Sequence, residues 1–441
     1  MASKQPKSVE IRAYQVGFGD CFLVSFVYSA SDKRHVLIDF GTTQLPKAFG
    51  KPSEHMPRVA NHIKQVCGGK LTAVIATHRH ADHISGFATD GKTGKSGEII
   101  AQCKPKVVLQ PWTEDPAAAR DAKKATTGSN RSAKGFVAGL NAMHSVAKHV
   151  LGIATRPPSS MSVAAAKQLR FLGMDNIKNK SAVDNLIRMG SAGGATSVWA
   201  HHGSSSGLEG KLLLDGVKVS VLGPPTLEQT EKISKMRSSD PDQFWQLLGG
   251  RSARRLDLAS IEPGPDGAGG LPVPPQARWF RNRVARLNAD QMLQIVRTLD
   301  QQMNNTSLIL LFEIGARKLL FPGDAQIENW SWALVDAPDA AQTRKRLASV
   351  DFYKVGHHGS RNATPKKLLW ENFMNRGGPK GRRLKTALST LPGKHGSSSS
   401  KTEVPRSTLL HALEEETDLV TTQGFKCADN ADPCQLITIQ I

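Results

Sequence analysis

The sequence predicts an α/β protein: two sheets with helices outside them, interrupted by helical insertions. Short runs rich in Val, Ile, Leu and Phe fall into two groups, one up to residue 111 and one from residue 211 onward. Helical stretches follow strands in both groups, and apolar strands of this kind need layers to cover them. At 441 residues, with 39% hydrophobic and 22% charged, the chain holds enough apolar material for a large core.

The elements follow in order. "VEIRAYQV", "CFLVSFVY" and "HVLIDF" are β-type runs separated by "GFGD" and "SASDKR", a strand meander. "PSEHMPRVANHIKQVCGG" begins near a proline, spaces Val59, Ile63 and Val66 helically and stops at paired glycines. "LTAVIAT" and "KPKVVLQPW" are buried strands. Residues 116–210 read as a variable insertion, with helical patches around 136–151 and 162–172 and loops between. "KLLLDGVKVSVLGPP" reads as a hairpin turning at Asp215 and Gly216, and it closes the first half, 1–225. Residues 226–303 read as a helical insertion with a Gly- and Pro-rich centre, a rim element and a surface for a protein partner. The second half, 304–441, resumes with "TSLILLFEI", "RKLLFPGD", "SVDFYKVGHH", "KTALST", "DLVTT" and "CQLITIQI".

Cysteine usage and hydropathy set the compartment. Five cysteines without a C-x-x-C pair suggest buried thiols in a reducing environment, and only Cys427 and Cys434 are close enough for a local bridge. No apolar run approaches the ~20 residues that cross a bilayer, so the expected location is cytoplasmic, without membrane contact.

Charge points toward an anionic partner. The net charge is +20, and residues 344–401 carry fourteen Lys or Arg against Asp351 and Glu371. Such a block is the footprint of a protein that meets a polyanion, or else a solvated face that only aids solubility. Trp370 and Phe373 within it, and Trp279 and Phe280 in "RWFRNRVAR", are candidates for stacking on single-stranded bases.

The chemistry is concentrated in "THRHADHISG". His78, His80, Asp82 and His83 occupy six positions at the end of a strand, where alternate residues share a face. Neutral imidazoles and a hard carboxylate suit zinc, or manganese or iron if more oxygen ligands join. Two such ions would clamp the attacking and leaving oxygens of a displacement.

This segment resembles the signature motif of metallo-β-lactamase-fold hydrolases. "NNTSLILLFEIGARKLLFPGDA" and "DFYKVGHHGSRNAT" follow in the family's order, and the latter is most similar to the competence-channel (ComEC-like) nuclease branch, as are "VGFGDCFLV" and "HVLIDFG". The resemblance implies an αββα four-layer sandwich and two divalent ions, zinc foremost and manganese as the alternative. It implies that His78 and His80 hold the first ion, that Asp82, His83 and His358 hold the second, and that Asp324 bridges them. Asp82 also takes a catalytic part, and His357 a catalytic, substrate-facing one.

Two family features are missing. No further histidine stands between the first motif and Asp324 in the stretch of "VLGPP" and "NNTS", which leaves Asn304, Asn305, water, or His201 and His202 upstream to complete the first site. Val404 stands where the branch carries a phosphate-facing histidine, so His395, Lys401 or Arg406 would substitute. The expected function is a dinuclear-metal phosphodiesterase, foremost a nuclease on DNA or RNA working through a metal-bridged hydroxide. The alternatives are a small-molecule hydrolase (phosphocholine-type or cyclic-nucleotide phosphodiester, lactone or thioester) and a non-catalytic nucleic-acid-binding module.

Overall fold

Strand alternation builds the sandwich. In β1 (Ser8–Tyr14), β2 (Cys21–Val27) and β3 (Lys33–Phe40), residues such as Val9, Ile11, Phe22, Val24, Val36 and Ile38 face one core, while Leu23 and Leu37 face another. The period of two makes both faces of the sheet apolar, so it must be covered on both sides. The computed structural model describes residues 4–91, 94–116, 179–204, 208–230, 232, 242–243, 303–394, 403–423, 425 and 432–441.

Two mixed sheets result. The first has the order β13-β1-β2-β3-β4-β5-β6 and adds β4 (Ala73–Ile75), β5 (Val107–Pro111), β6 (Thr196–Ala200) and β13 (Cys434–Gln440). The second has the order β12-β11-β10-β9-β8-β7: β7 (Lys218–Gly223), β8 (Ile309–Ile314), β9 (Arg317–Phe321), β10 (Phe352–Lys354), β11 (Lys385–Leu388) and β12 (Asp418–Thr421). Each sheet opens with antiparallel strands and continues with parallel ones. The chain thus crosses between layers: β7 lies in the second sheet, and β13 returns to the first.

Helices cover both outer faces. On the first sheet lie α1 (Pro52–Val66), α3 (Ser96–Gln102) and α4 (Lys180–Ser191), with the short α2 (Ala81–Ile84) at the strand ends. The α5 turn (Leu208–Lys211) precedes β7; on the second sheet lie α6 (Ile327–Ser331), α7 (Ala340–Ala348) and α8 (Ser407–Glu416). Phe22, Phe26, Phe312, Phe321 and Phe352 pack between the sheets. The architecture is α/β in four layers, consistent with the metallo-β-lactamase fold.

Two sequence expectations change. The proposed hairpin is not one: its upstream arm is α5 and a turn, with Leu212 and Leu214 buried in the inter-sheet core without strand pairing. The turn at Asp215 and Gly216 does exist, held by Arg34, and Gly216 has φ +69 against the Gln5 backbone. Within the 116–210 insertion, residues 179–200 supply α4 and the edge strand β6. The helical patches at 136–151 and 162–172 and nearly all of 226–303 lie outside the described residues. No helix among the described residues is long and apolar enough to cross a membrane.

Candidate metal centre

The site occupies one edge of the sandwich, where parallel strands of both sheets end, the place where α/β sheets bind ligands. From the first sheet, β4 runs into Thr77 and His78, Asp39 is the last but one residue of β3, and Asp20 stands just before β2. From the second, β9 leads to Asp324, β10 ends at Lys354 and leads to His357 and His358, and β11 leads to Ser389. Gly19 and Gly41 let α2 sit on the β3 end: a Cβ on Gly41 would stand 2.4 Å from the Asp82 carbonyl carbon. His357 and His358 adopt left-handed backbone, φ +44 and +52, which β-carbon-bearing residues rarely do outside constrained sites.

Asp82, His83, Asp324 and His358 bring one ligand atom each within 4.8 Å of one another. His358 Nε2 lies 3.0 Å from Asp82 Oδ2, and His83 Nε2 lies 3.1 Å from Asp324 Oδ1. His78 and His80 form a pair beside them, Nε2 to Nδ1 at 3.0 Å, and the His78 ring packs on His83 at 4.2 Å between centroids. His357 Nε2 stands 3.7 Å from Asp324, with its Nδ1 against Ser360 Oγ at 3.0 Å. Its side chain is 25% exposed, whereas those of His83, Asp324 and His358 are buried. His357 therefore faces the opening.

Supporting groups fix the rings. His83 Nδ1 donates to Asp39 at 2.8 Å, and the same carboxylate accepts the Thr77 backbone N–H and hydroxyl, each at 2.7 Å. His358 Nδ1 donates to the Ser389 carbonyl at 2.9 Å. With Nδ1 committed as donor in both rings, each Nε2 aims at a carboxylate oxygen. That arrangement is stable when the ring is protonated or when a cation lies between the two.

The electrostatics carry the same message. Burial would lower His83, but Asp324, Asp39, Asp82 and Asp20 hold it well above its ordinary value. Burial would raise Asp82 and Asp324, yet His83 chiefly, with the His358 hydrogen bond at Asp82 and with His357 and Lys354 at Asp324, keeps both far below the carboxylate range. His78 is pushed well down by burial and then by His83 and His80, which favours the neutral, ligating form. Both Asp324 oxygens are buried among His83 Nε2 at 3.1 Å, Lys354 Nζ at 3.6 Å and His357 Nε2 at 3.7 Å, and meet no backbone N–H or hydroxyl. An ionised carboxylate shared among imidazoles is a donor set that fits a divalent metal.

The candidates for completing the first site separate. Asn304 is buried, neither of its amide atoms has a hydrogen-bond partner, and its turn is tied to the strand before His78 by the Leu308 N–H to Thr77 carbonyl bond. Asn305 donates instead to Glu328. His202 lies between the Leu222 carbonyl and Asp339, and His201 Nδ1 contacts the His202 carbonyl, so both serve the local loop. His395 and Lys401 fall outside the described residues. Arg406 docks on the ligand turn through its backbone N–H to the Gly359 carbonyl, 2.8 Å.

Sequence reasoning missed Asp20, Asp39, Lys354 and Ser389. Lys354 is buried in ion contact with Asp20, lies 3.6 Å from Asp324 and donates to the Gly323 carbonyl. Burial would lower it, but Asp20 and Asp324 outweigh that and keep it charged. The available signal was a charged residue at the end of each apolar strand: Asp39 in "HVLIDFG", Lys354 in "DFYKVG" and Asp20 in "GFGD".

The basic block is divided in space. Lys354 is inside the site, while Arg346 pairs with Glu313, Arg376 with Glu416, and Arg383 and Lys385 with Asp418. Residues 380–384 precede β11 and Lys385 opens it, whereas Ser389, beside His358, follows it; they are at the opposite end of the strand. Trp370 and Phe373 are buried in the core of the second sheet and cannot stack on bases. Trp279 and Phe280 lie outside the described residues.

No curated protein matches the chain. Residues 14–89, which carry Asp20, Asp39 and the entire His78–His83 motif, match the family model described as Metallo-beta-lactamase superfamily.

Proposed function

We propose that this protein is a dinuclear-metal hydrolase acting on phosphodiesters, with nucleic acid as the substrate. The observation that carries the metal reading is the buried Asp324 carboxylate, ringed by His83, His357 and His358, with Asp82, His83, Asp324 and His358 each bringing a ligand atom within 4.8 Å of the others. Asp82, His83 and His358 would hold one ion, His78 and His80 the other, and Asp324 both. Divalent ions there supply Lewis acidity and activate water for attack. The chain's own residues do the rest. Asp39 and Ser389 keep two ligand rings in the ligating tautomer, Lys354 fixes Asp20 and Asp324, and His357 meets the substrate at the opening.

The anionic substrate rests on Arg361, which is exposed directly after the ligand turn. Arg406, paired with Glu403 at 3.0 Å, docks its backbone N–H on the same turn. A phosphate at the opening would meet the Arg361 charge. The likeness to the competence-channel branch and the +20 net charge support a polymer. A second reading, a small phosphodiester, is favoured by the internal pairing of the basic block. Metal-loaded protein should cleave bis-p-nitrophenyl phosphate and degrade plasmid, single-stranded DNA or RNA. Cleavage of the reporter alone moves the second reading ahead, and inertness toward all four at two bound ions sinks both.

A further inference from the structure

Far from the metal edge, two thiols meet under the first sheet. Cys67 directly follows α1 and Cys103 directly follows α3, and the Leu71 N–H bonds to the Cys103 carbonyl at 2.9 Å, joining the two helix ends. Both cysteines are buried among Ile63, Leu71 and Ile100 and carry no disulfide. Cys67 Sγ lies 3.6 Å from the Lys64 carbonyl and Cys103 Sγ 3.5 Å from the Ile99 carbonyl; the two thiols are within hydrogen-bonding reach of each other. After Cys67, Gly68 and Gly69 take φ +56 and +70, turning the chain back so that the Gly69 N–H bonds to the Lys64 carbonyl and the Lys70 N–H to the Cys67 carbonyl.

We propose that Cys67 and Cys103 form a redox site that closes into a disulfide under peroxide. The Cys67 sulfur is the attacking group, since Cys67 keeps 5% exposure and Cys103 has none. The contact with Cys103 lowers Cys67 against the effect of burial and raises Cys103. The Cys67 thiolate attacks one peroxide oxygen, the O–O bond breaks, and sulfenic acid forms with release of hydroxide, protonated to water. Cys103 gives up its proton and attacks the sulfenic sulfur, the S–O bond breaks, and a second water leaves. Two thiols lose two electrons in all, and one peroxide gains them. The ring so closed spans residues 67–103, which includes β4 and the whole His78–His83 loop, so oxidation staples the segment that carries the ligands.

The test is hydrogen peroxide on the full-length protein, read by intact mass and peptide mapping. The expected result is loss of two hydrogens with the peptides of Cys67 and Cys103 joined, reversed by a reductant, and slower digestion of residues 67–103. In Cys103→Ser, Cys67 should accumulate sulfenic acid that dimedone traps. Retention of both thiols in alkylatable form after peroxide, or a bridge mapped instead to Cys21, Cys427 or Cys434, overturns the proposal. The wild-type mapping decides it even where the serine variant does not fold.

Discussion

His83 on α2 and His35 on β3 are both buried histidines, and they are driven in opposite directions. His83, at the metal edge, is surrounded by Asp324, Asp39, Asp82 and Asp20 and is held well above its ordinary value. His35, on β3 toward the other end, rests on Ser25 Oγ at 2.8 Å; burial, then Lys33 and Arg12, push it down to about 4. The same division runs through the basic block: Lys354 is locked between carboxylates, while Arg382 is exposed at the far turn. Charge is concentrated at one edge and excluded from the interior elsewhere. A histidine or lysine is therefore interpretable only once its end of the strand is known.

Breaking the metal edge gives the largest effect. Asp324→Asn removes the shared carboxylate and should cost more than the ~100-fold typical of a supporting group, with at least one ion lost per chain. Elemental analysis and turnover of a phosphodiester reporter check it, and full metal content with full turnover removes Asp324 from the site.

Acid titration of the opposite end comes next. His35 has a folded value of about 4, below its ordinary 6.5, so its neutral form is the one the fold favours. Its contribution is fully present above pH ~6.5 and is lost as pH falls through 4, about 3 kcal/mol in all. His35→Gln should flatten the stability loss across that window relative to the parent, measured by urea unfolding at each pH. Parallel curves would mean that the metal-edge groups alone set the acid limit.

Asp39→Asn sharpens the comparison further. It keeps the size of the side chain but removes the carboxylate that orients His83, and should weaken metal binding ~10–100-fold while the apolar cores stay intact. Competition with a chromogenic chelator measures it.

How much of this was legible in the sequence follows from the same geometry. Strands such as "CFLVSFV" and the helix Pro52–Val66 announce themselves because alternation and helical spacing are local. The His78–His83 cluster is legible because its donors share one loop. Asp39 and Ser389 are not, since their role is to hold rings 44 and 31 residues away in sequence. β6 escaped because "TSVWA" is a partly exposed edge strand with little apolar signal. The false hairpin arose because Leu212 and Leu214 are buried without being in a strand. The basic block is legible only as charge: its nearness to His358 in sequence does not reveal the length of β11 between residues 385 and 389.

The smallest effect is expected at that far turn, and it separates charge from position. Arg382 and Lys380 are exposed at the amino end of β11, about 13 Å of strand from Ser389 at ~3.3 Å per residue. Reversing both to Glu should change stability by no more than ~0.5 kcal/mol, since neither is buried. Arg383 and Lys385 are poor choices for this test because both are tied to Asp418, and reversal there would set like charges together. Arg361→Glu is the matching change at the metal edge. If nucleic acid enters there, Arg361→Glu should weaken binding and reduce the salt slope by about one phosphate contact, while the Lys380 and Arg382 reversals leave both nearly unchanged. Should the far-end reversals weaken binding as much as Arg361→Glu, the polymer runs along the length of β11, and the division between the two ends does not hold for substrate.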